Sequence, residues 1–442
     1  MSHELTDEQR DIRELARRFA EEVIAPQAAA WDREHRFPSE VFARLGELGL
    51  MGVCVPEEHG GAGADYLAYA LVLEELSRAD AGVGVTVAVH TGAGTLPILA
   101  HGTPDQIEQL VPPLAHGREL AAFALTEPEA GSDAAALRTR VVDDRITGAK
   151  QWITNGSHAH TFIVFAREEE GQISANLLRH DAAGFRVVRE EDKLGLHSSS
   201  TADLAFDDAP AQRLGEPGAG MRIALSTLDG GRIGIAAQAV GIAQAGLDLA
   251  AGYARERHAF GGPIGRFQAI QQKLADMQTE IEAARALTWR AARCKAAGRP
   301  HTVEGAQAKL FASAVARRQT GEAIQVLGGY GYTKEFPAER YYRDAKVTEL
   351  YEGTSEIQRL VIARAAGRGR PGAGLAVTRA DGRVCRAGAA SRCRNPASPP
   401  APARAPRRSG WPASGRHARV PAPVRGYSST CSPPRAATAR GW

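Results

Sequence analysis

Over its first 120 positions the chain repeats apolar residues every three or four places, the period of a half-buried helix. Thr6 and Gln9 fit a capping box, and Ile12, Leu15, Ala16, Phe19 and Val23 follow at helical spacing, with Pro26 expected to close the run. Ser39 is placed to start a second helix carrying Val41, Phe42, Leu45 and Leu48; the glycine-rich run 60–63 reads as a loop, and a long apolar helix is predicted from Tyr66 to Leu76. Between 121 and 230 the pattern changes. Short apolar runs at Thr161–Phe165, Phe185–Val188 and Asp203–Phe206 are separated by turn residues, which predicts a small antiparallel β domain. From 231 to 366 the helical period returns. Ile270, Leu274, Met277, Ile281, Ala284, Leu287, Ala291 and Cys294 form the seam of a long bundle helix.

The expected architecture is therefore mainly α with a central β domain. Its parts are an N-terminal helical domain (1–120), a middle β domain (121–230), a C-terminal helical bundle (231–366) and a tail (367–442). Composition changes the picture chiefly at that tail. The formal charge of the whole chain is +3, but residues 371–442 alone carry +12 and residues 1–370 carry −9. The mildly acidic body gives no sign of a nucleic-acid surface. The tail, with 13 Arg, 11 Pro and no apolar periodicity, reads as disordered and has the bias of out-of-frame translation of a GC-rich gene; a basic arm for an anionic partner is the alternative. The body keeps only Cys54 and Cys294, which argues for a reducing compartment without a disulfide framework. No run of about 18 apolar residues is read as a membrane span, and the first residues resemble neither a signal nor a transit peptide. A bacterial cytoplasmic protein is the expectation.

Candidate chemistry centres on the run Tyr351 to Arg359. Glu352 precedes a glycine and a fresh helix start; Thr354 or Ser355 can cap that helix, Glu356 falls in its first turn, and Ile357, Leu360 and Val361 give it one apolar face. A carboxylate on a rigid turn beside a free backbone N–H suits removal of a proton next to a polarised carbonyl. A surface glutamate ahead of a capped helix accounts for the same letters. No G-x-G-x-x-G or Walker A sequence occurs, so a Rossmann-bound nicotinamide enzyme is not indicated. Two other stretches suit a flat polar cofactor, the loop from Phe123 through Leu125, Thr126 and Gly131 to Asp133 and the run Gln151 to Gly156 with Trp152, and the glycines of Gln325 to Tyr332 mark a helix end or a site of close approach. Read singly they are a turn between domains, a core Trp at a strand end and a helix C-cap. His90, His101, His197 and His258 form no metal-ligand spacing, so no metal is assigned.

Taken in order, these pieces resemble the acyl-CoA dehydrogenase family over roughly residues 4–366. The carrying segments are LTEPEAGSD, QWITNG, LDGGRIGIAAQAVGIAQ, RHAFGGPIGRFQAIQ, QVLGGYGY and YYRDAKVTELYEGTSEIQR, most like the short-chain (butyryl-CoA) branch. The resemblance implies non-covalent FAD, a homotetramer, and α,β-dehydrogenation of an acyl-CoA thioester with electrons passed to electron-transferring flavoprotein. It implies Glu352 as general base and Gly353 as a backbone contact to substrate. Thr354, Ser355 and Glu356, the loop Phe123, Leu125, Thr126, Gly131 and Ser132, and Trp152, Ile153 and Thr154 match flavin contacts, Ser132 also touching substrate. Arg257 and Gln268 match contacts to the diphosphate and adenine side. Gln325, Val326, Leu327, Gly328 and Gly329 match the part that closes over FAD from a neighbouring subunit. Asp229, Gly230, Gly231 and Arg232 match the CoA-binding stretch; Arg232 reads equally well as a helix arginine that packs or pairs.

Two departures narrow the substrate. Some branches carry the base near the LDxxR stretch, but Gly231 fills that slot here, and glycine cannot accept a proton. Gly84 stands where the glutaryl branch has an arginine, which argues against a dicarboxylyl chain. A short acyl chain is expected, with medium and methyl-branched chains left open, since one methylene changes binding by only ~1–3 kcal/mol. An oxidase or flavin monooxygenase on the same scaffold is the alternative activity, and a non-enzymatic helical binding protein is a third reading that the intact Glu352 counts against.

Overall fold

The computed structural model describes residues 4–368. The sequence reading of a disordered 367–442 tail lies outside the described residues, except that the last helix runs through Arg368.

Helix α1 (Asp7–Phe19) opens with the reciprocal Thr6–Gln9 capping box. Pro26 does not end it. A π-helical turn over Ala20–Ile24 carries the chain into α2 (Ala25–Glu34), with Pro26 in the first turn of α2. A first-turn proline lacks only a donor that would have gone unused, so it suits the start of the new helix better than the end of the old one. Helix α3 (Ser39–Glu47) starts at the predicted serine without a side-chain cap. Helix α4 (Tyr66–Ala79) is capped by Asp65, which accepts from Ala68 N at 2.8 Å. Helix α5 (Ala81–Val87), a π-helical stretch over Ala88–Thr95 and α6 (Leu96–His101) follow as one rod, then α7 (Pro104–Ala115).

The strands are β1 (Ala121–Ala124), β2 (Arg140–Val142), β3 (Arg145–Thr154), β4 (Thr161–Arg167), β5 (Ile173–Arg179), β6 (Phe185–Glu190), β7 (Thr201–Pro210) and β8 (Gln212–Leu214). They run in the order β6-β7-β3-β2-β4-β5-β8, with β1 added against β4. The expected all-antiparallel sheet is corrected to a mixed one: β1 and β2 both lie parallel to β4. Parallel neighbours need a long crossover. Residues 125–160 supply it for β1, and the loop of chemical interest is part of that crossover.

Beyond the sheet come α8 (Gly220–Glu256), α9 (Gln268–Ala296), α10 (Thr302–Leu327), α11 (Ala338–Val347) and α12 (Ser355–Arg368). Along α9 the predicted seam is buried at Met277, Ile281, Ala284, Ala291 and Cys294. Helix α8 packs on α4, α9 and α10, and so joins the N-terminal helices to the bundle. The expectation that no run is apolar enough to span a membrane needs correction. The stretches Ala81–His101 and Gly220–Glu256 are long and apolar enough, with 72% and 83% of their most apolar windows buried inside the fold. A helix packed on all sides is apolar all round, so a central core helix meets the same criterion.

The crossover loop is anchored by a buried ion pair. Lys150 on β3 is 1% exposed, and its Nζ donates to Glu127 Oε1 at 2.8 Å and to the Leu125 carbonyl at 3.0 Å. Glu127 also accepts from the backbone N–H of Arg138 (2.6 Å) and Thr139 (3.0 Å). Burial alone would raise its pKa, yet Lys150 and these donors together hold it below the usual carboxylate value. Lys150→Met would leave that carboxylate buried beside an apolar chain. It should lower unfolding free energy by about 3–5 kcal/mol, read from urea midpoints; a loss below ~1 kcal/mol would contradict the anchor.

Candidate active site

Glu352 and Gly353 are consecutive left-handed residues, with φ of 53° and 84°. Glutamate is uncommon in that region, so surrounding bonds must hold the turn. The Gly353 carbonyl accepts from Lys309 Nζ and from Gln358 Nε2, each at 2.8 Å, and Gln358 Nε2 also reaches the Glu352 carbonyl at 3.1 Å. Thr354 Oγ1 accepts from Ile357 N at 3.4 Å and Ser355 N donates to the Glu349 carbonyl at 3.0 Å, so α12 is capped as the sequence indicated. The Glu356 side chain is exposed, with its pKa lowered by a hydrogen bond to its own backbone and one to Thr354. Just upstream, Tyr351 donates its hydroxyl to Gln238 Oε1, and Gln238 Nε2 donates to the Ala81 carbonyl at 2.8 Å.

The turn presses the Glu352 carboxylate onto α8. A Cβ built on Gly231 would lie 2.5 Å from Oε2 and 2.9 Å from Cδ, so only glycine leaves the carboxylate room. Oε2 is buried and has no hydrogen-bond partner among the described residues. Burial pushes its pKa up to about 7, against the opposing pull of Arg232 and Lys309. Tyr66 and Tyr69 on α4 face the same space; burial, with a smaller contribution from Glu352, raises both phenols well above their ordinary value.

The rest of the 229–232 stretch lies beside it. Arg232 is buried and pairs with Asp229 at 2.5 Å, while Thr302 Oγ1 donates to the other Asp229 oxygen at 2.5 Å. The Gly230 carbonyl accepts from Tyr66 OH at 3.1 Å. In the described structure, then, Arg232 is paired within its own helix, and its Nε has no partner.

A second group forms at the sheet. Thr126 accepts through its carbonyl from Gln151 N at 2.9 Å, which ties the 123–133 loop to the 151–156 run. Leu125 and Ile153 are buried, Phe123, Thr126 and Thr154 are half-buried, and Gly131 and Ser132 are exposed. Phe123 packs on Phe165 with centroids 4.8 Å apart. Trp152 is no core residue: it sits at a register break between β3 and β7 with φ of 62°, and 55% of it is exposed. A bulge re-aims a side chain, and here it turns a large flat ring outward. Gly131 has nothing within 4 Å of a built Cβ, leaving open space over the loop.

A third group lies at the other end of α8. Arg257 caps that helix and stands over the Tyr330 ring at 5.7 Å, which brings it to the Gln325–Gly329 segment. Gln268 is exposed at the start of α9; Gln325, Gly328 and Gly329 are exposed, while Val326 and Leu327 are buried. Gly328 and Gly329 also have open space around them, and Phe260 (90%) and Tyr332 (84%) stand out into solvent nearby in sequence. From Arg232 to Arg257 along one continuous helix is roughly 38 Å. One chain therefore does not bring its third group to its first.

Sequence reasoning missed Gln238, Lys309, Gln358, Tyr66 and Tyr69 as site residues. The signal was available for two of them: Lys309 and Gln238 are long polar residues among alanines at buried positions of their helices. His90 is a buried structural residue. Its Nε2 donates to the Leu114 carbonyl and its Nδ1 accepts from Ala121 N, and burial brings its pKa down to about 4. Among the described residues no group of three or more His, Cys, Asp or Glu is placed to hold a metal.

Open glycine-lined surfaces and an outward-turned indole leave room for a flat ring, and an unpartnered carboxylate oxygen offers a base; the comparisons say which chemistry this is. Models of the acyl-CoA dehydrogenase N-terminal, middle and C-terminal domains match residues 6–118, 122–209 and 218–367. The mitochondrial short-chain specific acyl-CoA dehydrogenase of Bos taurus is 50% identical over 373 residues, covering 82% of this chain and 90% of that one. The butyryl-CoA dehydrogenase of Megasphaera elsdenii matches with a TM-score of 0.81 and 44% identity, over 83% of this chain and all of that one. A chain from structural work on the electron transferring flavoprotein of Acidaminococcus fermentans matches at 0.82 and 45%, with 83% and 100% covered. An acyl-CoA dehydrogenase of Bacillus anthracis complexed with FAD matches at 0.79 and 34%, with 84% and 69% covered. The chain belongs to the acyl-CoA dehydrogenase family. It is a flavin-dependent enzyme whose cofactor is FAD.

The raised Glu352 pKa has a consequence measurable without substrate. The folded carboxyl binds its proton more tightly than the unfolded one, so its contribution to stability is present at low pH and is lost as pH rises from about 4.5 to about 7. Glu352→Gln should therefore be more stable than the parent at pH 8, by up to about 3 kcal/mol, and nearly equal to it at pH 4. Thermal unfolding of the two proteins across that range checks the sign.

Proposed function

We propose that this protein dehydrogenates short-chain acyl-CoA thioesters to trans-2-enoyl-CoA, with Glu352 as the base that removes the α-proton. The observation that carries this reading is the Glu352 carboxylate itself, its Oε2 buried and unpartnered, and held by a strained turn against Gly231. An α C–H is a weak acid, so its removal requires a strong base and a polarised carbonyl. Burial supplies the first, and an acyl chain excluding water from the same space raises the carboxyl pKa further. The Glu352 backbone N–H is the chain's own donor to the thioester oxygen, with Gly353 beside it. When bound, the flavin would supply the hydride acceptor for the β-hydrogen.

The exposed Trp152, with Ile153, Thr154 and the loop Phe123, Leu125, Thr126, Gly131 and Ser132, would hold the flavin ring, with Thr354, Ser355 and Glu356 as further flavin contacts. Arg257, Gln268 and Gln325–Gly329 would hold the diphosphate and adenine. The roughly 38 Å from Arg232 to Arg257 along α8 supports these contacts being made between copies in a homotetramer. Asp229 and Arg232 would meet CoA after exchanging their mutual pairing. A plain rather than dicarboxylyl chain is supported by Gly84, which is buried on α5 against Ser77 Oγ with no room for a side chain. Electron-transferring flavoprotein as acceptor and a bacterial cytoplasm as compartment complete the reading. The free, disulfide-free Cys54 and Cys294 are in keeping with that compartment.

Anaerobic titration of the FAD-loaded protein with C4, C6, C8 and branched acyl-CoAs should bleach the flavin, most readily with C4. Dye reduction without oxygen marks a dehydrogenase; peroxide formed only with oxygen would mark an oxidase instead. Glu352→Gln should keep FAD and lose bleaching rate by about 10²–10⁴-fold; near-normal bleaching would remove Glu352 as the base. Gly231→Ala, which places a methyl where the carboxylate lies, should slow bleaching while FAD content stays unchanged.

A further inference from the structure

Lys309 lies on α10 with its side chain completely buried, and among the described residues its single hydrogen bond goes to the Gly353 carbonyl. A buried ammonium with two donors unspent is expensive, and methionine or leucine would fill the same space without that cost. Packing alone therefore does not explain a lysine here. The carbonyl it holds belongs to the residue after Glu352, in the left-handed turn that aims the carboxylate at Gly231.

Resting on Glu352 as the base, we propose that Lys309 is a positioning residue for this reaction: its ammonium holds the Glu352–Gly353 turn through the Gly353 carbonyl and so sets a cation beside the residue that carries the carboxylate. The charged and titratable groups around the pair come from several elements. Arg232 faces both from α8, Glu349 and Glu356 face Lys309 from either side of the turn, and Tyr66 and Tyr69 from α4 and Tyr351 face Glu352. Of these, Arg232 alone shares Lys309's sign and pulls on Glu352 more strongly; it is paired with Asp229, whereas Lys309 has no carboxylate within ion-pair distance among the described residues. Gln358 shares the Gly353 carbonyl and is uncharged, so the structure itself separates the geometric from the electrostatic part.

The test uses the full chain loaded with FAD. Infrared difference titration without substrate follows the protonated carboxyl of Glu352, assigned by its disappearance in Glu352→Gln. Lys309→Met and Lys309→Gln should each raise that midpoint by about one pH unit or more, because a neighbouring cation that favoured the carboxylate is gone. In rapid mixing with butyryl-CoA the acid limb of the bleaching rate should move upward with it, and the limiting rate should fall at least tenfold. Lys309→Arg should restore the midpoint, and Gln358→Met should slow bleaching without moving it. An unchanged midpoint in a folded, FAD-loaded Lys309 variant overturns the proposal. Failure of both neutral variants to fold also overturns it, since the lysine would then be structural. If the parent protein is not bleached by any acyl-CoA, the reading of the reaction fails, while the infrared midpoint still judges the Lys309–Glu352 coupling.

Discussion

One constraint governs the site: a carboxylate oxygen is kept out of water, without a partner, and against a helix backbone. Left to itself Glu352 would turn towards solvent, where ionisation is easier. It is prevented by a turn with two successive left-handed residues, and that turn is held by side chains from α10 and α12 that bond its carbonyls rather than the carboxylate. The clamp leaves both carboxylate oxygens free of strong donors. A base tied up in a salt bridge would be a weak one, so holding the backbone instead of the functional group preserves reactivity.

The partner surface is as specific as the clamp. Helix α8 presents Gly231 at the point of contact, where any side chain would occupy the carboxylate's volume. The same helix carries Arg232 and Asp229 beside it and ends roughly 38 Å away at Arg257. It also forms the core of the fold, packed on α4, α9 and α10. Its position is thus fixed by burial of its apolar surface, and the site inherits that rigidity. The π-helical stretch Ala88–Thr95 and β1 lie against each other in turn, and Asn155 bonds the carbonyls of Thr86 and Ala121, so sheet and helices share one frame.

Among the large apolar side chains left exposed in the described residues are Phe260, Tyr332, Leu194 and half of Leu360. The sequence placed Leu360 on the apolar face of α12, and the single chain does not cover it.

Local signals in the sequence determined the helical caps, the strand runs at 161–165, 185–188 and 203–206, the α9 seam, and the turn at Glu352–Gly353, because each depends on neighbours within a few residues. Pro26, the parallel pairing of β1 and β2 with β4, and the outward Trp152 were decided by tertiary structure: a π-turn, a crossover and a register break are set by what packs around them. The same holds for Lys309, Gln238 and Gln358. Their letters mark them only as polar residues on helices, and their role arises from where α8, α10 and the 352 turn converge. Glu352 could be singled out from its motif, but its acidity could not, since desolvation is a property of everything that surrounds a group and of nothing in the residue itself.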